Sequence, residues 1–134
     1  MAELKEIIRQ IKDKREFGKV DVKEFAKEDG WANDFAKSLG EKMKTTQLRK
    51  VFTSIKLMEQ GVKGKVGSDP FDNPELYMLL PQMAYAKARK LIIPEFYDLA
   101  KTIINDGMIK NVGDFRRFAQ FMTAIVAYHK QYGK

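Results

Sequence analysis

The sequence of 134 residues contains no cysteine, a single histidine and few serines. The absence of cysteine excludes disulfide bonds, thiolate metal sites and cysteine nucleophiles. No apolar run approaches the roughly 18 residues that a membrane-spanning helix requires. The N-terminal segment MAELKEIIRQIKDKREF alternates charged and aliphatic residues, so it is not expected to act as a signal peptide. These features are typical of a cytoplasmic protein that does not contact a membrane.

Few residues are available for catalysis. His129 falls between Met122 and Ile125 on an apolar helical stripe, where a packed side chain is expected rather than a metal ligand. No pair of carboxylates stands in apolar surroundings, and no serine has a nucleophile-elbow setting. The segment GVKGKVGSDPFDNP lacks the preceding strand and the Lys-Ser/Thr ending of a nucleotide-binding loop. The sequence therefore predicts no enzyme activity, no metal site and no cofactor.

Helical periodicity dominates the chain. In the first segment, apolar residues recur at i, i+3, i+4 and i+7, which is one face of a helix. These residues are Leu4, Ile7, Ile8 and Ile11. Gly30 interrupts the next pattern, so residues 22–39 form one kinked helix or two short ones, and Gly40 is a plausible helix end. Asn73 and Pro74 begin a further helix, which Pro81 should kink or divide.

The last two segments have the clearest apolar stripes. One stripe predicts a helix that ends at Gly107, with five residues facing inward: Phe96, Leu99, Ala100, Ile103 and Ile104. The other, in residues 111–133, predicts the longest helix. No strand alternation competes with these patterns. We therefore expect an all-α protein, a compact bundle of about five helices in a single domain spanning residues 1–134.

The segment KTTQLRKVF, residues 44–52, predicts a helix start. Thr45 or Thr46 can cap free backbone N–H groups. Four apolar residues should then be buried, and they are Leu48, Val51, Phe52 and Ile55. Arg49 and Lys50 fall in the first turn, where the helix dipole disfavours cations by a few tenths of a kcal/mol. Because the fold gains nothing evident from this penalty, it favours the view that Arg49 and Lys50 bind a partner. An ordinary solvated helix face explains the same pattern.

The net charge of +7 is unevenly distributed, because residues 1–43 are neutral and residues 44–134 carry the whole excess. Such a balance indicates a polyanionic partner, either nucleic acid or an acidic membrane surface, or it serves solubility alone. The loop of residues 61–72 is expected to be mobile and basic.

Most aromatic residues fall on core stripes, and those better placed for partial exposure are Tyr85, Tyr97, Tyr128 and Tyr132. The cations that we predict as RNA-binding residues are Lys44, Arg49, Lys50, Lys56, Lys63, Lys65, Arg89, Lys90, Arg116, Arg117 and Lys130.

Three segments resemble one family when taken together in order. They are KTTQLRKVF, LLPQMAYAKAR and FRRFAQFMTAIVAYHKQYG. The combination resembles the small subunit of the type III-A CRISPR interference complex, the Csm small subunit, over residues 44–60, 76–91 and 114–133. The resemblance implies a non-catalytic helical bundle that stacks in several copies beside the backbone subunits and lines the channel where guide and target RNA pair. The motif positions that it implies as RNA contacts are Lys44, Arg49, Lys50, Arg89, Arg116 and Arg117.

Two other functions remain open from the residues themselves. A purely structural subunit would use the same basic face to pack against acidic protein neighbours. An unrelated DNA-binding domain would need two short helices joined by a turn of about 3–4 residues and a polar recognition helix. The helices after residue 44 each carry a broad apolar stripe, which fits that motif poorly.

Overall fold

The computed structural model describes residues 4–132. Within this range the chain forms seven α-helices, two more than the number expected from the sequence. They are α1 (Leu4–Asp13), α2 (Val22–Ala26), α3 (Trp31–Leu39), α4 (Thr45–Gly61), α5 (Pro74–Ala88), α6 (Pro94–Asn105) and α7 (Val112–His129). Two 3₁₀ turns, Phe17–Lys19 and Gly40–Lys42, precede α2 and α4. The expected all-α class is confirmed.

The extra helices arise partly at Gly30, which separates α2 from α3. Gly30 is the N-cap of α3 with extended backbone angles. A Cβ atom there would lie only 2.8 Å from the carbonyl oxygen of Glu24, so the chain makes a close turn that only glycine fits. Of the two forms expected for residues 22–39, the structure therefore has two short helices.

Pro81 was expected to kink or divide α5, and the structure shows that the helix is not divided. Asn73 caps the helix by accepting a hydrogen bond from the N–H of Glu75, and Pro74 is its first residue, both as predicted. Pro81 removes the bond to the carbonyl of Tyr77, four residues earlier. Both residues are exposed, so water can bind that carbonyl and the helix continues to Ala88.

The core surrounds α7, which packs against α2, α3, α4 and the first 3₁₀ turn. Phe121 of α7 contacts three aromatic rings from the N-terminal part of the chain, Phe17, Phe25 and Trp31, with centroids 5.3–6.5 Å away. The other helices complete the bundle, since α6 packs on α1 and α5, and α4 packs on α5. The five inward positions predicted for α6 are all buried.

The segment between α4 and α5, expected to be a mobile loop, is instead fixed to the start of α7. The backbone N–H groups of Gly113 and Val112 donate to the carbonyls of Gly67 and Asp69, both at 2.9 Å. Phe71 stacks on Phe115 with ring centroids 4.3 Å apart. These contacts bring residues 62–71 against α7. No helix among the described residues is long and apolar enough to cross a membrane.

Candidate nucleic-acid interface

Helix α4 carries the largest group of predicted RNA-binding cations. Its N-cap is Lys44, which makes no side-chain capping bond, so the expectation that a threonine caps the helix is wrong. Arg49 and Lys50 therefore lie in the second turn, where the helix dipole acts more weakly than predicted. Both are exposed, and neither side chain forms a hydrogen bond or ion pair with any described residue. Their charges are available for a partner.

The apolar face of α4 is narrower than its sequence pattern predicts. Leu48 and Ile55 are buried as expected, at 0 and 1% exposure. Val51 and Phe52 are only half-buried, so the prediction for these two residues is wrong. Lys56 lies above the Phe52 ring, 5.2 Å from its centroid, and its ammonium contacts Glu59 at 3.0 Å. Glu59 thus neutralises part of the charge at this point.

A groove between α4 and the C-terminal half of α5 brings together cations that are distant in sequence. We name it the α4–α5 groove; its volume is about 180 Å³. Val51, Met83 and Ile92 form its apolar floor, and Lys50 and Arg89 lie on its rim. Helices α4 and α5 therefore place two of the predicted cations beside the same concave surface.

A second, shallower depression lies between the end of α4 and the start of α7. We name it the α4–α7 hollow, and its volume is about 370 Å³. Its lining includes Lys56, Lys63 and Arg116, together with the acidic Glu59. Arg49 lines neither depression, but it is exposed on the same helix, next to Lys50 in sequence. The resulting surface is called here the α4 basic surface and comprises Arg49, Lys50, Lys56, Lys63 and Arg89.

Arg116 lies at the edge of this surface but already has partners within the chain. Its Nη2 donates to the carbonyl oxygens of Val62 and Lys65, just after the last turn of α4. A cation at a helix C-terminus is also favoured by the helix dipole. Arg116 therefore fixes the end of α4 to α7, and its predicted contact with RNA stays a prediction.

We expect Arg116→Ala to lower the free energy of unfolding by about 1–3 kcal/mol, because two carbonyls lose a charged donor. Urea denaturation of the isolated protein measures this difference. Arg49→Ala is the matched control, since Arg49 is exposed without a partner and should change stability by less than about 0.5 kcal/mol. Equal stability of the two variants would contradict the structural role of Arg116.

The remaining predicted cations are dispersed. Arg117 points to the other side of α7, where its Nη1 donates to the carbonyl of Val20 at 2.6 Å. Lys130 follows α7, and Lys65 and Lys90 are exposed in the segments after α4 and α5. The backbone of Lys90 has a positive φ of 61°, which fits a tight turn. The structure does not place Arg117 beside the α4 basic surface.

His129 is buried and packed as predicted, with 0% exposure. Its Nε2 lies 2.8 Å from the carbonyl oxygen of Gly40, so it joins the end of α7 to the end of α3. Within residues 4–132, no group of three or more histidine, aspartate or glutamate residues is arranged to hold a metal ion.

The tyrosines expected to be partly exposed differ in their surroundings. Tyr128 and Tyr132 direct their hydroxyls to Ala26 and Asn33, whereas Tyr85 is 63% exposed.

Sequence reasoning missed Asp114, the most important buried polar residue of the fold. Its carboxylate is 3% exposed and accepts three backbone hydrogen bonds, from Gly18, Lys110 and Asn111. Asn111 caps α7 and Asp114 closes a capping box with it. The Asn-x-x-Asp spacing before an apolar stripe is a recognisable signal for this box. The bond to Gly18 joins distant parts of the chain and has no local signal.

These features describe a small all-α protein with exposed cations along α4 and near the end of α5. A family model for Csm2 Type III-A matches residues 21–134, and the chain belongs to this family. It is the small subunit of a multi-subunit type III-A CRISPR effector complex. The match begins at residue 21, so it includes α2 and α3, which the three resembling segments did not cover. Comparison with curated proteins and with solved structures finds no match.

Proposed function

We propose that this subunit is non-catalytic and binds RNA within the effector, contacting the sugar–phosphate backbone of paired guide and target RNA through the α4 basic surface. In this role it lines the channel that holds the two strands. An effector guided by RNA also favours a cytoplasmic location. The proposal rests on membership in the family together with three exposed cations on or just after α4 that have no partner, Arg49, Lys50 and Lys63.

The exposed charges of Arg49, Lys50 and Lys63, on α4 and just after it, are the observation that carries the proposal. All three are exposed, and none forms an ion pair with a described residue. Arg49 and Lys56 are seven residues apart on α4, which separates them by about 10 Å along the helix axis. Cations presented at intervals on a rigid helix suit a regular row of phosphates, because contacts to phosphate require no base-edge geometry.

The mechanism follows from a division of labour between RNA and protein. Base pairing between guide and target recognises sequence, and the protein neutralises phosphate charge and recognises the shape of the paired strands. Contacts of this kind are weak in a single subunit. Several copies arranged along one RNA would bind it strongly through avidity, without any new contact. Further copies of this chain are therefore proposed partners, together with guide and target RNA.

A packing role is favoured by a separate observation on the outward side of α4 and α5. Leu57, Tyr77 and Met78 are large apolar side chains with exposures of 63, 54 and 49%. Apolar residues exposed in this number are typical of surfaces that meet other proteins. We propose that other subunits of the effector cover them.

We expect the isolated protein to bind single-stranded RNA with a dissociation constant of about 10⁻⁴–10⁻⁶ M and without sequence preference. If four or five phosphates are neutralised, the log–log slope against salt is about −3, because each contact to a single strand contributes about −0.7. Fluorescence anisotropy with labelled RNAs of unrelated sequence measures both quantities, and the RNA should remain intact throughout. Affinity that is independent of salt, or strong preference for one sequence, would contradict the proposal.

A further inference from the structure

The α4–α5 groove contains more than cations. Beside Lys50 and Arg89, two amide side chains, Gln47 and Gln82, line the opening, one from each helix. Tyr85 stands at the same opening with 63% of its surface exposed. Contact with phosphate requires none of these three uncharged groups. Their presence beside an apolar floor indicates a ligand that carries a planar ring as well as an anionic group.

The volume of the groove limits the size of that ligand. Drug-sized ligands occupy pockets of roughly 300–1,000 Å³, and the groove has about 180 Å³. This space suits one ring system rather than a whole nucleotide. Met83 and Ile92 form a buried apolar floor, with exposures of 2 and 4%. A ring placed there contacts apolar atoms on its inner side, while its polar edge can reach the amides of Gln47 and Gln82.

Tyr85 and Arg89 form the aromatic part of the opening. The guanidinium carbon of Arg89 lies 5.6 Å from the centroid of the Tyr85 ring, and its Nη1 donates to the Tyr85 hydroxyl at 3.3 Å. Both side chains are exposed, so this contact is weak and Arg89 can turn towards a phosphate at little cost. Tyr85 then offers its ring for stacking, the contact by which single-stranded nucleic acids bind proteins without sequence preference.

We propose that the α4–α5 groove binds one unpaired nucleobase of an RNA strand, stacked on Tyr85, while Lys50 and Arg89 contact the phosphates on either side of it. The inference rests on the proposed RNA-binding function and assigns a base contact to a surface otherwise expected to contact only the backbone. A base inside a duplex has its faces and pairing edge occupied. The ligand is therefore a nucleotide that leaves the paired strands or lies beyond them.

The test compares two labelled strands of equal charge and length, about 12 nucleotides each. One is oligouridylate and the other is an abasic strand that carries only ribose and phosphate. We expect the wild-type protein to bind the base-bearing strand about 5- to 100-fold more tightly, the range that stacking of one base supplies. Tyr85→Ala should remove this difference without changing the salt slope. Lys50→Ala with Arg89→Ala should weaken binding of both strands and flatten both slopes.

The matched control is Tyr77→Ala, which removes an exposed tyrosine from the same helix outside the groove and should retain the full preference for bases. Equal affinity of the wild type for the two strands would overturn this inference and leave the proposed RNA binding intact. Failure to bind either strand would overturn both proposals. Uridine monophosphate that binds as tightly as the oligomer would define a free-nucleotide site and contradict the inference.

Discussion

Asp114→Ala is expected to lower the free energy of unfolding by about 3–5 kcal/mol, because a buried carboxylate that accepts three backbone hydrogen bonds is lost. The carboxylate accepts backbone hydrogen bonds from Gly18 at 2.8 Å, Lys110 at 2.9 Å and Asn111 at 3.3 Å. Removing it leaves three donors without partners in a largely buried position, each at a cost of about 1–3 kcal/mol. One of these bonds, from Asn111, is half of the α7 capping box; the other half, from the N–H of Asp114 to Oδ1 of Asn111, survives the substitution.

Urea denaturation followed by circular dichroism measures this loss. Asp98→Ala is the matched control, because Asp98 is exposed on α6 and should change stability by less than about 0.5 kcal/mol. Asp114→Asn should be intermediate. Its amide has one accepting oxygen, which can serve either Gly18 or the pair Lys110 and Asn111, but not both sides. An Asp114→Ala protein as stable as the control would show that water replaces the carboxylate without cost.

The contact with Gly18 provides an independent check of the same interaction. A Cβ atom on Gly18 would lie 2.5 Å from Oδ1 of Asp114, far closer than van der Waals contact permits. Gly18→Ala should therefore destabilise the protein in the presence of Asp114 and have a much smaller effect in the Asp114→Ala background. A double-mutant cycle measures this coupling, since contacting residues deviate from additivity. Additive effects would place the two residues in separate interactions.

The sequence predicts the features of this fold that depend on local spacing. The inward face of α6 and the Asn73–Pro74 helix start follow directly from residue order, and the structure has both. Periodicity locates the centre of an apolar stripe but not its width. Val51 lies at the edge of the α4 stripe and is only half-buried because the α4–α5 groove opens beside it. Stripe width depends on how closely the neighbouring helix packs, which is a tertiary property.

The candidate site depends even more on tertiary packing, which the sequence pattern does not reveal. Each cation can be identified from the sequence alone, yet only the packing of α4 on α5 brings Lys50 and Arg89 to the same groove. Arg116 and Arg117 are adjacent in sequence and were predicted to act alike. In the fold they project to different sides of α7 and bind backbone carbonyls of Val62 and Val20. Those carbonyls come from distant parts of the chain, so no local pattern distinguishes a structural arginine from one free to bind RNA.

Reversal of three charges on the α4 basic surface is expected to abolish RNA binding while leaving the fold intact. The variant combines Arg49→Glu, Lys50→Glu and Lys63→Glu, all at exposed positions without a partner among the described residues. At about 0.1 M salt, each lost phosphate contact lowers affinity about fivefold, so three contacts account for about 100-fold. Repulsion by the new carboxylates adds to this loss. Stability should change by less than about 0.5 kcal/mol per site, as at other exposed positions.

Two controls separate charge from folding and from position. Leu48→Ala should have the opposite effect, a loss of stability without a loss of RNA binding. It removes a fully buried side chain from α4 and should lower the free energy of unfolding by about 2–5 kcal/mol, while the folded fraction still binds RNA. A second triple variant, Lys5→Glu, Lys37→Glu and Lys101→Glu, changes the net charge equally but lies on α1, α3 and α6.

Thermal melts and RNA titrations on the three proteins distinguish a basic surface that binds RNA from one that only raises the net charge. Equal loss of affinity in both triple variants would mean that overall charge attracts the RNA and that α4 has no special role. Undiminished binding in the α4 variant would favour a subunit whose basic side packs against acidic protein neighbours. Loss confined to the α4 variant, with an unchanged melting temperature, is the result that contact between this helix and the phosphate backbone requires.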